Sequence, residues 1–193
     1  MFYHASPAHC IEVLKPQVSN HGRPLVYLSK KRENTLVYLS NAVEKYCRET
    51  GFSHAGPWQK WASYGFYEGK LRLDEYYPNA IWDTYKDVSG YIYAADTVPG
   101  GEEQEDIPDA IVTGEPVPVL DCEYVPDAYE AILKAAESGL IIIRRYEEMT
   151  EQMLTWIQRT VKRQYEGSED IPTYRHFLRG KFPEILGFGD GNV

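Results

Sequence analysis

Two short segments each carry a residue able to do ligand chemistry inside an otherwise apolar run: FYHAS, Phe2 to Ser6, and LVYLS, Leu25 to Ser29. His4 and Tyr27 are those residues. A neutral imidazole both donates and accepts a hydrogen bond, and a phenol ring offers a flat, electron-rich face to a flat cation. Ser6 and Ser29 close the two segments with hydroxyls. Clustered aromatic and β-branched residues predict a strand for each segment. Either residue alone also fits a structural role, the phenol as half-buried packing with its hydroxyl satisfied locally.

The elements around these residues must bring them together. The intervening PAHCIEVLKPQVSNHGRP contains Pro7, Pro16, Gly22 and Pro24, which predicts a short helical turn around Ile11 to Leu14 and then a loop. After the second strand, Leu36, Leu39, Val43, Tyr46 and Cys47 recur at helical spacing, and Gly51 is a stop, so one helix is expected over Arg32 to Gly51 with Tyr38 on it. A strand, a loop, and a second strand leading into a helix build a cleft.

Tyr3, His4, Ala5 and Ser6, then Val26, Tyr27, Leu28 and Ser29, then a helix from near Glu33, together resemble the opening of the ADP-ribosyltransferase superfamily. That superfamily includes the diphtheria-type toxins, the poly(ADP-ribose) polymerases and the RNA 2′-phosphotransferases. The resemblance covers residues 1–50 well and the remainder loosely. It implies that NAD is the small-molecule dinucleotide bound, with His4 on a ribose hydroxyl and Tyr27, or Tyr38 on the following helix, stacked on nicotinamide. Ser6 and Ser29 belong to the same implied cofactor-binding set. Lys30, Lys31 and Arg32 are placed near the phosphates by the resemblance, and read also as a solvated helix face.

The family's third element is an acid at the start of a later strand, stabilising the charge that develops as nicotinamide leaves. Glu115 in TGEPVPVLDCEYV is the first match and Glu123 its competitor; Glu115 reads also as a solvated turn residue. Pro116 and Pro118 each remove a ladder donor, so this strand is expected at an edge. Ala5 stands where many members have glycine, and Thr113 precedes Glu115 by two positions, so no paired acids occur. That pattern is similar to the His-Tyr-acid branch and unlike the arginine-modifying toxins. The resemblance thus implies an NAD-dependent ADP-ribosyl transferase or NAD-cleaving protein of unspecified acceptor. The other reading is a catalytically silent relative, or an unrelated α+β protein, that binds a nucleotide-like ligand or a protein partner through an aromatic cleft.

With 193 residues, 43% hydrophobic and 25% charged, the chain has the make-up of one globular domain, expected over residues 1–186 with a mobile tail over 187–193. A formal charge of −9 argues against extended contact with nucleic acid, and against an RNA-directed relative that needs a basic cleft. Cys10, Cys47 and Cys122 are odd in number and form no C-x-x-C pair, so a reducing, cytoplasmic setting is expected, without a metal. No signal peptide, and no apolar run of membrane-spanning length, is read in the chain.

Sixteen tyrosines join 6 Phe and 4 Trp, enough to build both a core and a binding surface. Trp58, Trp61, Tyr64, Phe66 and Tyr67 predict a hairpin or an aromatic loop over residues 52–73. A short helix over Asn79 to Tyr85, a strand over Gly90 to Ala94, and an exposed acidic hairpin tip in PGGEEQEDIP follow. Helices are expected from Asp127 to Gly139, from Thr150 to about Tyr165 and from Thr173 to Phe182, with a buried strand over Leu140 to Ile143. The fold class is therefore α+β, a small, split, mostly antiparallel sheet flanked by helices.

Overall fold

The computed structural model describes residues 1–18, 22–54 and 64–188. The chain opens with β1 (Phe2–Ser6), β2 (Val13–Leu14), β3 (Gln17–Val18) and β4 (Pro24–Ser29), then a 3-10 helix over Glu33–Leu39 and α1 (Ala42–Glu49). The hairpin of β5 (Tyr64–Tyr67) and β6 (Lys70–Asp74) precedes α2 (Ala80–Tyr85) and β7 (Gly90–Ala95). Next come β8 (Glu102–Glu103), β9 (Ala110–Thr113), β10 (Val117–Pro118), β11 (Asp121–Val125), α3 (Ala128–Glu137) and β12 (Ile142–Arg144). The chain ends in α4 (Glu151–Glu166), α5 (Pro172–Lys181) and α6 (Pro183–Leu186). The class is α+β, with antiparallel pairing throughout the registered ladders.

Contacts divide the chain into two compact units interleaved in sequence. The first (residues 1–40, 64–73 and 85–143) holds the main sheet, in the order β11-β7-β1-β4-β9-β8 with β3 on β4. Val26 and Leu28 of β4, Tyr93 and Ala95 of β7, and Ile111 of β9 form one core, completed by Leu14 and Val117 of the small β2-β10 pair. Burial of alternate residues follows the pleat, which sends successive side chains to opposite faces. On the other face the 3-10 helix packs against β1, β7 and α3, burying Leu36, Val37 and Leu39.

One feature of the register makes room for a site. β1 pairs with β7 along its whole length, from Phe2↔Ala95 to Ser6↔Tyr91, but meets β4 only at Tyr3↔Ser29. Beyond that rung the two strands that carry His4 and Tyr27 separate.

The second unit (residues 41–63, 74–84 and 144–193) is helical. Val43 and Cys47 of α1, Ile157 and Val161 of α4, and Phe177 and Leu178 of α5 close its core around Tyr77 and Ala80. The Asn41, Asp127 and Thr150 side chains accept from the backbone N–H of Glu44, Glu130 and Met153 at the starts of α1, α3 and α4.

Two expectations are corrected. The single helix over Arg32 to Gly51 is a 3-10 helix and an α-helix separated by extended backbone at Ser40 (φ −140°, ψ 154°) and Asn41. Ser and Asn compete with helical hydrogen bonds, and Asn41 restarts the helix as its cap. The turn expected at Ile11 to Leu14 contains strand β2, because Leu14 and Val13 pair with Val117 and Pro118. The aromatic segment yields the β5-β6 hairpin, while Trp58 and Trp61 fall outside the described residues, as do residues 189–193 of the expected tail.

Candidate functional site

A cavity of about 200 Å³ opens on the helix-covered face beside the separation of β1 and β4, and its wall includes His4, Tyr27, Ser29, Asn34, Tyr38 and Gln104. Nδ1 of His4 donates to the Tyr27 carbonyl at 2.8 Å, so the imidazole spans the opened ladder in place of a backbone rung. Burial holds His4 below the ordinary imidazole value, against the opposing effect of that carbonyl, and the ring is neutral near pH 7. With the proton fixed on Nδ1, Nε2 carries the lone pair. Among the described residues no donor satisfies Nε2.

The aromatic wall is made of strand and helix together. Tyr27 projects from β4 and Tyr38 from the last turn of the 3-10 helix, where the Tyr64 ring meets it edge-on at 5.8 Å and 79°. Tyr38 is 49% exposed, so its ring lies at the mouth of the cavity. Such faces attract a flat cation and stack on any heterocycle.

Asn34 is the residue that sequence reasoning missed. It is 4% exposed, lines the cavity, and has no hydrogen-bond partner on Nδ2 or Oδ1 among the described residues. Helical spacing at 3.6 residues sets Asn34 off the apolar stripe of Leu36, Leu39 and Val43. The three-residue period of the 3-10 helix puts Asn34 in line with buried Val37 instead. The only signal in the sequence was the Ser-Asn pair that ends this helix early.

The acidic segment also contributes. Glu102, Glu103, Glu105 and Asp106 are exposed, as expected for a hairpin tip, but Gln104, Ile107 and Pro108 turn back onto the cavity.

Other expected site residues are placed differently. Ser6 lies in a second cavity, of about 400 Å³, that shares His4 and Tyr27 with the first and has Lys15 on its wall; the Ser6 hydroxyl accepts from the Ala8 N–H at 3.1 Å. The Ser29 hydroxyl accepts from the Lys31 N–H at 3.1 Å. The three basic residues expected at the phosphates are paired with acids: Lys30 with Glu103, Lys31 with Asp109 at 2.8 Å, and Arg32 with Glu123 through two hydrogen bonds of 2.7 and 2.5 Å.

Neither expected acid reaches the cleft. The cavity lies at the Ser29↔Ala110 end of the β4-β9 ladder, whereas Glu115 follows the opposite end, beyond the Val26↔Thr113 rung, with its N–H on the Thr113 hydroxyl. Its carboxylate sits beside Gly100, where a glycine at φ +57° leaves space that a Cβ would fill. Glu123 stands on β11, separated from β1 by β7, and is held by Arg32. Among the described residues, no carboxylate lines the cavity. Glu33, Glu103, Glu105, Asp106 and Asp109 each adjoin a lining residue in the chain without lining the cavity themselves.

The chain matches no family model, no curated protein and no solved structure. Among the described residues no three His, Cys, Asp or Glu side chains are grouped to hold a metal, and no helix is long and apolar enough to cross a membrane.

Proposed function

We propose that the chain is an ADP-ribosyltransferase-like protein that binds NAD where β1 and β4 separate. The nicotinamide ring lies between Tyr27 and Tyr38, and a ribose hydroxyl donates to His4 Nε2. The observation that carries this reading is the His4 imidazole: its tautomer is set by the Tyr27 carbonyl, its acceptor nitrogen is unused among the described residues, and His4 and Tyr27 stand together on the walls of both cavities. A cavity of about 200 Å³ is smaller than the roughly 300–1,000 Å³ of sites that enclose a whole drug-sized ligand. The ring end therefore enters it, and the rest of the dinucleotide lies outside the cavity.

Binding, rather than transfer, is the activity this geometry supports best. Departure of nicotinamide leaves positive charge on the ribose, which a preorganised carboxylate stabilises, and no acid lines the cavity among the described residues. A transferase or NAD-cleaving reading needs a carboxylate brought to the cavity from outside its described wall.

A thermal-shift series with a released-nicotinamide assay on the same samples tests the proposal. NAD at about a hundredfold excess over Kd raises the melting temperature of the wild type by about 5 °C or more. Tyr38→Ala, which removes the ring at the cavity mouth, abolishes the shift relative to its own ligand-free melting temperature, and no nicotinamide accumulates. Equal shifts in the two proteins would refute the stacking role, and steady release of nicotinamide would move the assignment from binding to cleavage.

A further inference from the structure

We propose that the second cavity is a binding site for an aliphatic carboxylate, whose chain lies among the branched side chains of β2 and β4 and whose charged end meets Lys15. This site does not depend on the assignment of the first cavity to NAD.

The second cavity, of about 400 Å³, falls within the roughly 300–1,000 Å³ of cavities that enclose a small molecule. Its wall is aliphatic: Leu14 and Val26 are buried in the sheet core behind it, while Ile11 and Leu25 are half-buried and Val13 is 39% exposed. Apolar surface left open to water gains from any apolar cover, and each methylene buried there adds affinity. Tyr38 is absent from this wall, so a flat heterocycle has no pair of tyrosine rings to lie between.

The polar groups on the same wall favour a negative charge. Among the described residues no carboxylate lines the cavity, and Lys15 is its only lysine or arginine. Lys30, Lys31 and Arg32 near the first cavity are paired with acids, whereas Lys15 has no acid partner among the described residues. The Ser6 hydroxyl, which accepts from the Ala8 N–H, keeps its own proton to donate, and the Gln17 amide is unpaired among the described residues. Donors with no opposing acid select an anion. One ammonium balances a single negative charge, and a phosphate dianion would leave a second one facing a chain of net charge −9. An apolar body with one negative end meets both halves of the wall.

The test is calorimetry with hexanoate, octanoate and octyltrimethylammonium on the wild type, Lys15→Met and Val13→Ser, all at exposed positions. The wild type binds octanoate at one saturable site, about tenfold tighter than hexanoate because two more methylenes are buried. It binds octyltrimethylammonium, with the same chain and the opposite charge, more weakly, although the net charge of the protein favours the cation. Lys15→Met keeps the apolar stem, loses about fivefold or more of the octanoate affinity, and loses the preference for the anion. Val13→Ser weakens both octyl ligands alike, and an excess of AMP leaves octanoate binding unchanged. Absence of saturable octanoate binding, an unchanged affinity in Lys15→Met, or equal binding of the two octyl ligands by the wild type overturns the proposal. Displacement of octanoate by AMP also overturns it, and gives the cavity to a nucleotide instead.

Discussion

His4 is held neutral in the folded protein because burial outweighs the Tyr27 carbonyl that favours its protonated form. The unfolded chain takes up a proton at this residue as pH falls through about 6.5, and the folded chain does so only at lower pH. The stability this difference supplies is complete above that value and is lost as pH falls toward the folded value. Urea midpoints measured from about pH 7.5 to about pH 5.5 should therefore drop more steeply in the wild type than in His4→Gln. His176 is shifted in the same direction, so only the difference between the two proteins reports His4; parallel slopes would contradict the account. At this scale His4, Tyr27, Ser29 and Tyr38 were legible, since strand patterning and one helical step were enough to place them on a common cavity. Asn34 was not, because its burial depends on a 3-10 period that propensity does not announce. The acids were misread for another reason: residue type nominated Glu115, while the ladder register that puts it at the wrong end of β9 is a long-range property.

The elements show how local signals and packing divide the work. Asp127 and Thr150 begin α3 and α4 as their side-chain chemistry predicts, and Gly139 follows α3 in the left-handed region at φ +69°. The break at Ser40 and Asn41 shows a capping preference overriding a continuous apolar spacing. β2 forms from a segment with turn-like prolines because Val117 and Pro118 supply its partner, which lies far away in sequence. Gly180 in α5 separates propensity from packing. An added Cβ would lie 1.8 Å from the Tyr46 hydroxyl and 2.3 Å from its Cζ, so the stiff ring would have to leave its place against Phe177. Helix propensity alone makes Gly180→Ala stabilising by about 1 kcal/mol. The overpacked contact makes it destabilising by about 1–3 kcal/mol, and placing the same change in a Tyr46→Ala background should remove most of the cost. Chemical denaturation of the four proteins decides, and a stabilised single mutant would show the packing account to be wrong.

For the whole molecule, the pattern of predicted elements identified the α+β class and the mostly antiparallel sheet, but not the division into two units. The chain passes repeatedly between them, so no linker composition marks a boundary. The charge of −9 has a sharper consequence. Lys30, Lys31 and Arg32 neutralise Glu103, Asp109 and Glu123 and supply no basic cradle for phosphate. In the proposed NAD complex, affinity would come from the imidazole and the aromatic rings, and the net field would oppose an anionic ligand. Raising salt screens that repulsion, so affinity should hold or tighten, where a basic phosphate site would weaken. The most direct test is calorimetric titration of the wild type and His4→Gln with NAD at about 0.05 M and about 0.3 M salt. The account predicts saturable one-site binding by the wild type, no weaker at the higher salt, and an affinity about tenfold or more lower in His4→Gln. Absence of saturable heat in the wild type, or equal affinity in the two proteins, would contradict it.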